Sequence, residues 1–109
     1  MSPAAEVIVS ATVQVKPEHQ DDALTAITTA IQATHGEDGC VAYALHRDTS
    51  DPTRFVIIEK WATMDDLKAH GETPHLKALF GALGPVLTGP PTIIYTNPVP
   101  VGDATKGII

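Results

Sequence analysis

Residues 40–62 read CVAYALHRDTSDPTRFVIIEKWA, and this stretch decides the fold. Two strand-like runs, 40–48 and 53–62, flank Thr49-Ser50-Asp51-Pro52, a cluster of turn formers. The pattern predicts an antiparallel hairpin. Its second run is apolar on both faces. Phe55, Ile57 and Trp61 fall on one side, Val56 and Ile58 on the other, because successive strand side chains alternate.

Outward from the hairpin, the pattern changes period. Toward the N-terminus, residues 6–15 alternate, with Val7, Val9, Ala11, Val13 and Val15 on one face, which predicts another strand. Between it and the hairpin, Leu24, Ile27, Ile31 and Thr34, flanked by Ala23 and Ala30, follow helical spacing. Pro17 and the acids after it suit a helix start, and Gly36 or Gly39 its end. Toward the C-terminus, Thr63 is a candidate N-cap of a short helix, and Thr73-Pro74 opens a second helix carrying His75, Leu76, Leu79, Phe80 and Leu83. Gly84-Pro85 and Gly89-Pro90-Pro91 stop it, and residues 92–97 give a last strand. The order β-α-β-β-α-β predicts a ferredoxin-like α+β fold, with the helices on one face of an antiparallel sheet. A single domain fills the 109 residues, folded over about 6–97, with 98–109 as a C-terminal arm. The other sheet face is too apolar to meet water, so it needs a cover. A second copy in a homodimer is the simplest one, and a hydrophobic ligand or several partners are the rivals.

Bulk composition narrows the function. The net charge is −6 and no basic stripe exists, which argues against nucleic acid and anionic membrane as partners. No apolar run is long enough to span a bilayer. Cys40 is the only cysteine, and the start Met1-Ser2-Pro3-Ala4-Ala5-Glu6 has neither basic nor long apolar character, so the expectation is a cytoplasmic protein without a leader. There is no Walker-type loop, no G-x-G-x-x-G and no G-x-S-x-G, leaving kinase, dinucleotide and hydrolase readings without support.

The residues able to carry chemistry gather around the third strand and the helices after it. Glu59 shares a sheet face with Phe55, Ile57 and Trp61, and an acid among apolar neighbours becomes a proton donor or acceptor near neutral pH. A plain ion pair at a sheet edge is the other reading. Trp61 can stack on a flat substrate or belong to the core. His46, His70 and His75 are acid–base candidates, with surface or capping roles as the alternative; His19 and His35 read as surface residues. His70 and His75 are five apart across a proline and do not form an i, i+4 metal pair; no Cys or carboxylate spacing completes a metal site, so no metal is expected. Tyr43 can aim a hydroxyl into a pocket, and Phe55 and Ile57 are candidate substrate contacts. Cys40 lacks an activating base and reads as a small buried residue.

The segments Gly39–Asp48, Asp51–Phe55 and Ile58-Glu59-Lys60-Trp61, with Leu67-Lys68-Ala69-His70 and Thr73-Pro74-His75-Leu76-Lys77-Ala78, resemble the antibiotic-biosynthesis-monooxygenase family over about residues 6–97. The resemblance implies a dimeric α+β barrel with a pocket between each sheet and its own helices. It also implies oxidation of a quinol or polycyclic phenol by O2 with no cofactor. In that setting Trp61 lines the pocket, Glu59 and His70 hold or move protons, and His75 and His46 assist. Ile57 and Leu67 stand where the polyketide-anthrone branch has Asn and Tyr, and Phe80 where the haem-degrading branch needs an iron-ligating His. The quinol-monooxygenase branch shares the E-x-W, A-H and T-P-H pieces. An isomerase branch acting on a phosphorylated autoinducer sugar is similar at Glu59, His70, Thr73-Pro74-His75 and Leu87-Thr88-Gly89-Pro90, but favours Tyr at the place of Trp61. A non-catalytic dimeric binding barrel is the third reading.

Overall fold

The computed structural model describes residues 6–109; Met1–Ala5, the stretch read for a leader, lie outside the described residues. Four strands, β1 (Val7–Gln14), β2 (Cys40–Arg47), β3 (Arg54–Trp61) and β4 (Thr92–Thr96), form one antiparallel sheet in the order β2-β3-β1-β4. Three helices, α1 (Gln20–Thr34), α2 (Met64–Gly71) and α3 (Pro74–Leu83), lie on one of its faces. This is the expected ferredoxin-like α+β arrangement. No described helix is long and apolar enough to cross a membrane.

The alternation in β1 works as its sequence implies. Val7, Val9, Ala11 and Val13 are buried, and the residues between them are half-buried on the opposite face. In α1 the buried stripe is Ala23, Ile27, Ala30 and Thr34, while Leu24 and Ile31 lie at its margin. The stripe is rotated from the one expected: the two alanines join it and the larger Leu24 and Ile31 flank it, on a helix whose closest helical neighbour is α3. Thr34 satisfies its buried hydroxyl by donating to the Ala30 carbonyl at 2.8 Å.

Thr63 and Thr73 cap α2 and α3, accepting from the backbone N–H of Asp66 and Leu76 respectively. Gly36 and Gly39 do not terminate α1 in a left-handed turn, since Gly102 alone among the described residues has positive φ. Gly39 is required for another reason. A Cβ there would collide with the Asp66 side chain, which is tied to the Thr63 hydroxyl at 2.8 Å. A bare glycine thus lets the start of α2 seat against the entrance of β2.

The strand register sets up two faces. Toward the helices, Tyr43, Glu59, Val9 and Tyr95 form one row across all four strands, and Leu45, Ile57, Ala11 and Ile93 the next. On the far face, Ala44, Ile58, Ser10 and Ile94 make a row flanked by Val56 and Ile8. The helices leave this second face uncovered. The arm after β4 is less extended than expected. Asp103 accepts from the backbone N–H groups of Thr105 and Lys106, and its carbonyl from Gly107, so the chain closes a turn there.

Candidate active site

Small side chains in the middle of β1 leave room beneath the helices. A half-open cavity of about 470 Å³ lies over Val9, Ala11 and Val13, roofed by Leu67, Leu76, Leu79 and Leu83 of α2 and α3 and flanked by Ile93 and Tyr95 of β4. Its volume falls inside the range of roughly 300–1,000 Å³ usual for small-molecule sites. The lining is mostly aliphatic and aromatic. Glu59, His70, Tyr43 and Tyr95 supply polar atoms, and Lys68 is the lining cation, exposed on α2.

Glu59 is 6% exposed and projects from the centre of β3. The Trp61 indole N–H donates to its Oε1 at 2.9 Å. No buried side-chain polar atom of the described residues lacks a partner, and Oε2 of Glu59 has no protein partner among them, so that oxygen opens to the cavity. Burial drives the Glu59 carboxyl up to about 7. The Trp61 hydrogen bond opposes that rise, and the charge of Glu37 adds to it. The group therefore changes protonation state near neutral pH, where a general acid or base is most useful. Tyr43, across the ladder from Glu59, is held well above the usual phenol range by burial and then by the charges of Glu59 and Glu37, so its hydroxyl stays a donor.

His70 is the one buried residue of α2, and its ring packs between Trp61, 4.6 Å away centroid to centroid, and Tyr43 at 5.5 Å. Its Nδ1 lies 2.7 Å from Oε2 of Glu37. A carboxylate only accepts, so Nδ1 carries the hydrogen and Nε2 of the neutral ring is left as an acceptor on a residue that lines the cavity. Oε2 of Glu37 also lies 2.8 Å from Nε2 of His75. Sequence reading did not find Glu37. It sits in the turn between α1 and β2, 33 and 38 residues from its two partners, and no local pattern announces the contact. Nor was it visible that the break between α2 and α3 turns His70 and His75 toward one point, with rings 6.1 Å apart.

The structure sorts the residues singled out from the sequence. Glu59, His70, Tyr43 and Ile57 line the cavity. Trp61, expected on the pocket wall, is fully buried and absent from the lining; it reaches the site only through Glu59 and the His70 ring. Phe55 is buried at the far end of β3, with the Arg47 guanidinium 4.9 Å over its ring. His46 is exposed and pairs with Val56, which puts it on the opposite sheet face. His75 stays outside the cavity, behind His70. Cys40 is not activated, since burial and then the charges of Glu37 and Glu59 push its thiol up.

Comparison with known proteins agrees with this architecture. The family model described as "Antibiotic biosynthesis monooxygenase" matches residues 6–82. A Bacillus subtilis (strain 168) protein, "Putative monooxygenase YcnE", is 27% identical over 91 residues, covering 84% of this chain and 96% of its own. A crystal structure described as "antibiotic biosynthesis monooxygenase" is 31% identical with a TM-score of 0.83, covering 86% of this chain and 99% of that one. A conserved protein from Methanosarcina mazei Go1 superposes with a TM-score of 0.84 at 25% identity, over 87% of this chain and 94% of that one.

Proposed function

The chain belongs to the antibiotic biosynthesis monooxygenase family, and from that premise we propose that it is a cofactor-independent monooxygenase or oxidase of a quinol or polycyclic phenol. The observation that carries the reading is the pairing of Glu59 and His70 on one largely apolar cavity. A flat aromatic ring fits among Val9, Ala11, Leu76 and Tyr95, while the polar groups meet its hydroxyls.

Chemistry of this kind asks little of a protein. Nε2 of His70 accepts the phenolic proton, with Glu37 on Nδ1 stabilising the imidazolium that forms. The electron-rich phenolate then reduces O2 within the apolar pocket, away from water. Insertion of one oxygen atom leaves a quinone product two hydrogens poorer, and the second oxygen departs as water. The substrate supplies the electrons, so no external reductant is required. Glu59, poised near neutrality, returns or removes the second proton.

The isomerase reading has less support, because a phosphosugar calls for several donors and cations, and Lys68 is the lining cation among the described residues. The binding-barrel reading expects a space packed with side chains, whereas the cavity is open. We also propose a homodimer in which the face bearing Ile8, Val56, Ile58 and Ile94 packs on its own copy.

The test is oxygen uptake by purified protein, stripped of metal with EDTA, over a panel of naphthoquinols and anthrone-type phenols, with and without O2. Oxygen-dependent product that is lost in His70→Ala supports the proposal. Uptake by the wild type no greater than by that variant, across the panel, refutes it.

A further inference from the structure

The Glu37–His70–His75 cluster lies outside the cavity wall except through the His70 ring. Nδ1 of His70, Nε2 of His75 and Oε2 of Glu37 all lie within 4.8 Å of one another. Two imidazole nitrogens and one carboxylate oxygen make a donor set suited to a borderline divalent ion such as Zn2+. Burial grades outward, with side-chain exposure of 4% for His70, 16% for Glu37 and 23% for His75. The site is thus rigid on one side and reachable on the other.

Distances favour admission of an ion. The two nitrogen–oxygen separations are 2.7 and 2.8 Å. Ligands about 2.1 Å from a metal stand roughly 3.0–3.4 Å apart in octahedral or tetrahedral geometry, so each nitrogen–oxygen pair needs to open by about half an ångström. His75 is the second residue of α3 and half-buried, so it can make this movement without disturbing the core. His70 is held in place by Trp61 and Tyr43.

We propose that Glu37, His70 and His75 form a binding site for Zn2+ or a similar divalent transition metal, set behind the cavity rather than in it. Glu37 and His75 do not line the cavity, so an ion there does not touch a substrate. It acts through His70. With the ion on Nδ1, a neutral imidazole keeps its hydrogen on Nε2, and the cavity-facing nitrogen turns from acceptor to donor. Occupancy therefore removes the base that the proposed oxidation uses; this consequence, unlike the site itself, rests on that reading.

The experiment is calorimetric titration of Zn2+ into the EDTA-stripped, tag-free full-length chain. One equivalent per chain is expected, with affinity falling at least tenfold in His75→Ala and in Glu37→Gln and unchanged in His46→Ala. Far-UV circular dichroism checks that each variant is folded; the half-buried positions of His75 and Glu37 give two independent routes to the result. No uptake by the wild type, or equal binding by both cluster variants, overturns the site. In parallel, quinol oxidation is measured with and without saturating Zn2+. Inhibition in the wild type that EDTA reverses supports the inhibitory role. Undiminished turnover at saturation overturns that role. If the chain oxidises no quinol at all, the isotherms still decide the site.

Discussion

Replacing Glu59 with Gln should stabilise the protein at alkaline pH while removing its activity. Glu59 is 6% exposed, and burial raises its carboxyl from the ordinary 4.5 to about 7. In the unfolded chain the group ionises near the ordinary value. Between these two points the folded state binds more protons than the unfolded state, so stability falls as pH rises through the window and levels off above about pH 7. At ~1.4 kcal/mol per tenfold change in proton affinity, the full cost of ionising buried Glu59 is about 3 kcal/mol. Gln fills the same volume, keeps a carbonyl to accept the Trp61 N–H, and never ionises. The advantage of Glu59→Gln should therefore be small at pH 4.5 and approach about 3 kcal/mol at pH 8. Urea unfolding at a fixed protein concentration, followed by far-UV circular dichroism across pH 4.5–8.5, measures it. The other titrating groups cancel in the difference between variant and wild type. An advantage that stays constant across the range, to within ~0.5 kcal/mol, would refute the reasoning about burial. A residue whose removal gains stability and loses turnover is held for function.

Three further outcomes are expected. His70→Ala should lower the rate of the proposed quinol oxidation by roughly 10²–10⁴-fold, the usual contribution of one general base, as steady-state oxygen uptake would show. Trp61→Phe removes the hydrogen bond that favours the ionised carboxylate, so the Glu59 midpoint should move higher still than about 7, as a carboxyl-labelled NMR titration would report; an unchanged or lower midpoint contradicts the assigned role of the indole. Ile58→Lys places a charge at the centre of the uncovered sheet face and should convert the proposed dimer to a monomer in light scattering, with the secondary structure preserved.

The sequence by itself determined the order of elements. Period-two alternation in Val7–Val13, the turn formers at 49–52, and the threonine caps at 63 and 73 are local signals, each acting over a few residues, and each appears in the structure. Strand alternation also set Glu59 on one face with Phe55, Ile57 and Trp61, while the packing of the helices decided that this face is the covered one. Local signals could not say which aromatic would form the wall and which the core. Trp61 and Tyr43 lie on the same face, but the register that sets Tyr43 beside Glu59 and puts Trp61 at the strand end is a property of the assembled sheet. His46 was legible as a strand histidine on the face opposite Tyr43, and only the pairing of β2 with β3 shows that its face points away from the helices. Glu37 is the strongest case. Nothing within ten residues marks it, and its role arises only when the α1–β2 turn meets the α2–α3 break across more than thirty residues of chain. Local patterning fixes the backbone conformation of each segment. A site built from long-range hydrogen bonds exists only once packing has paid the entropy of bringing its parts together, so the tertiary structure alone decided it.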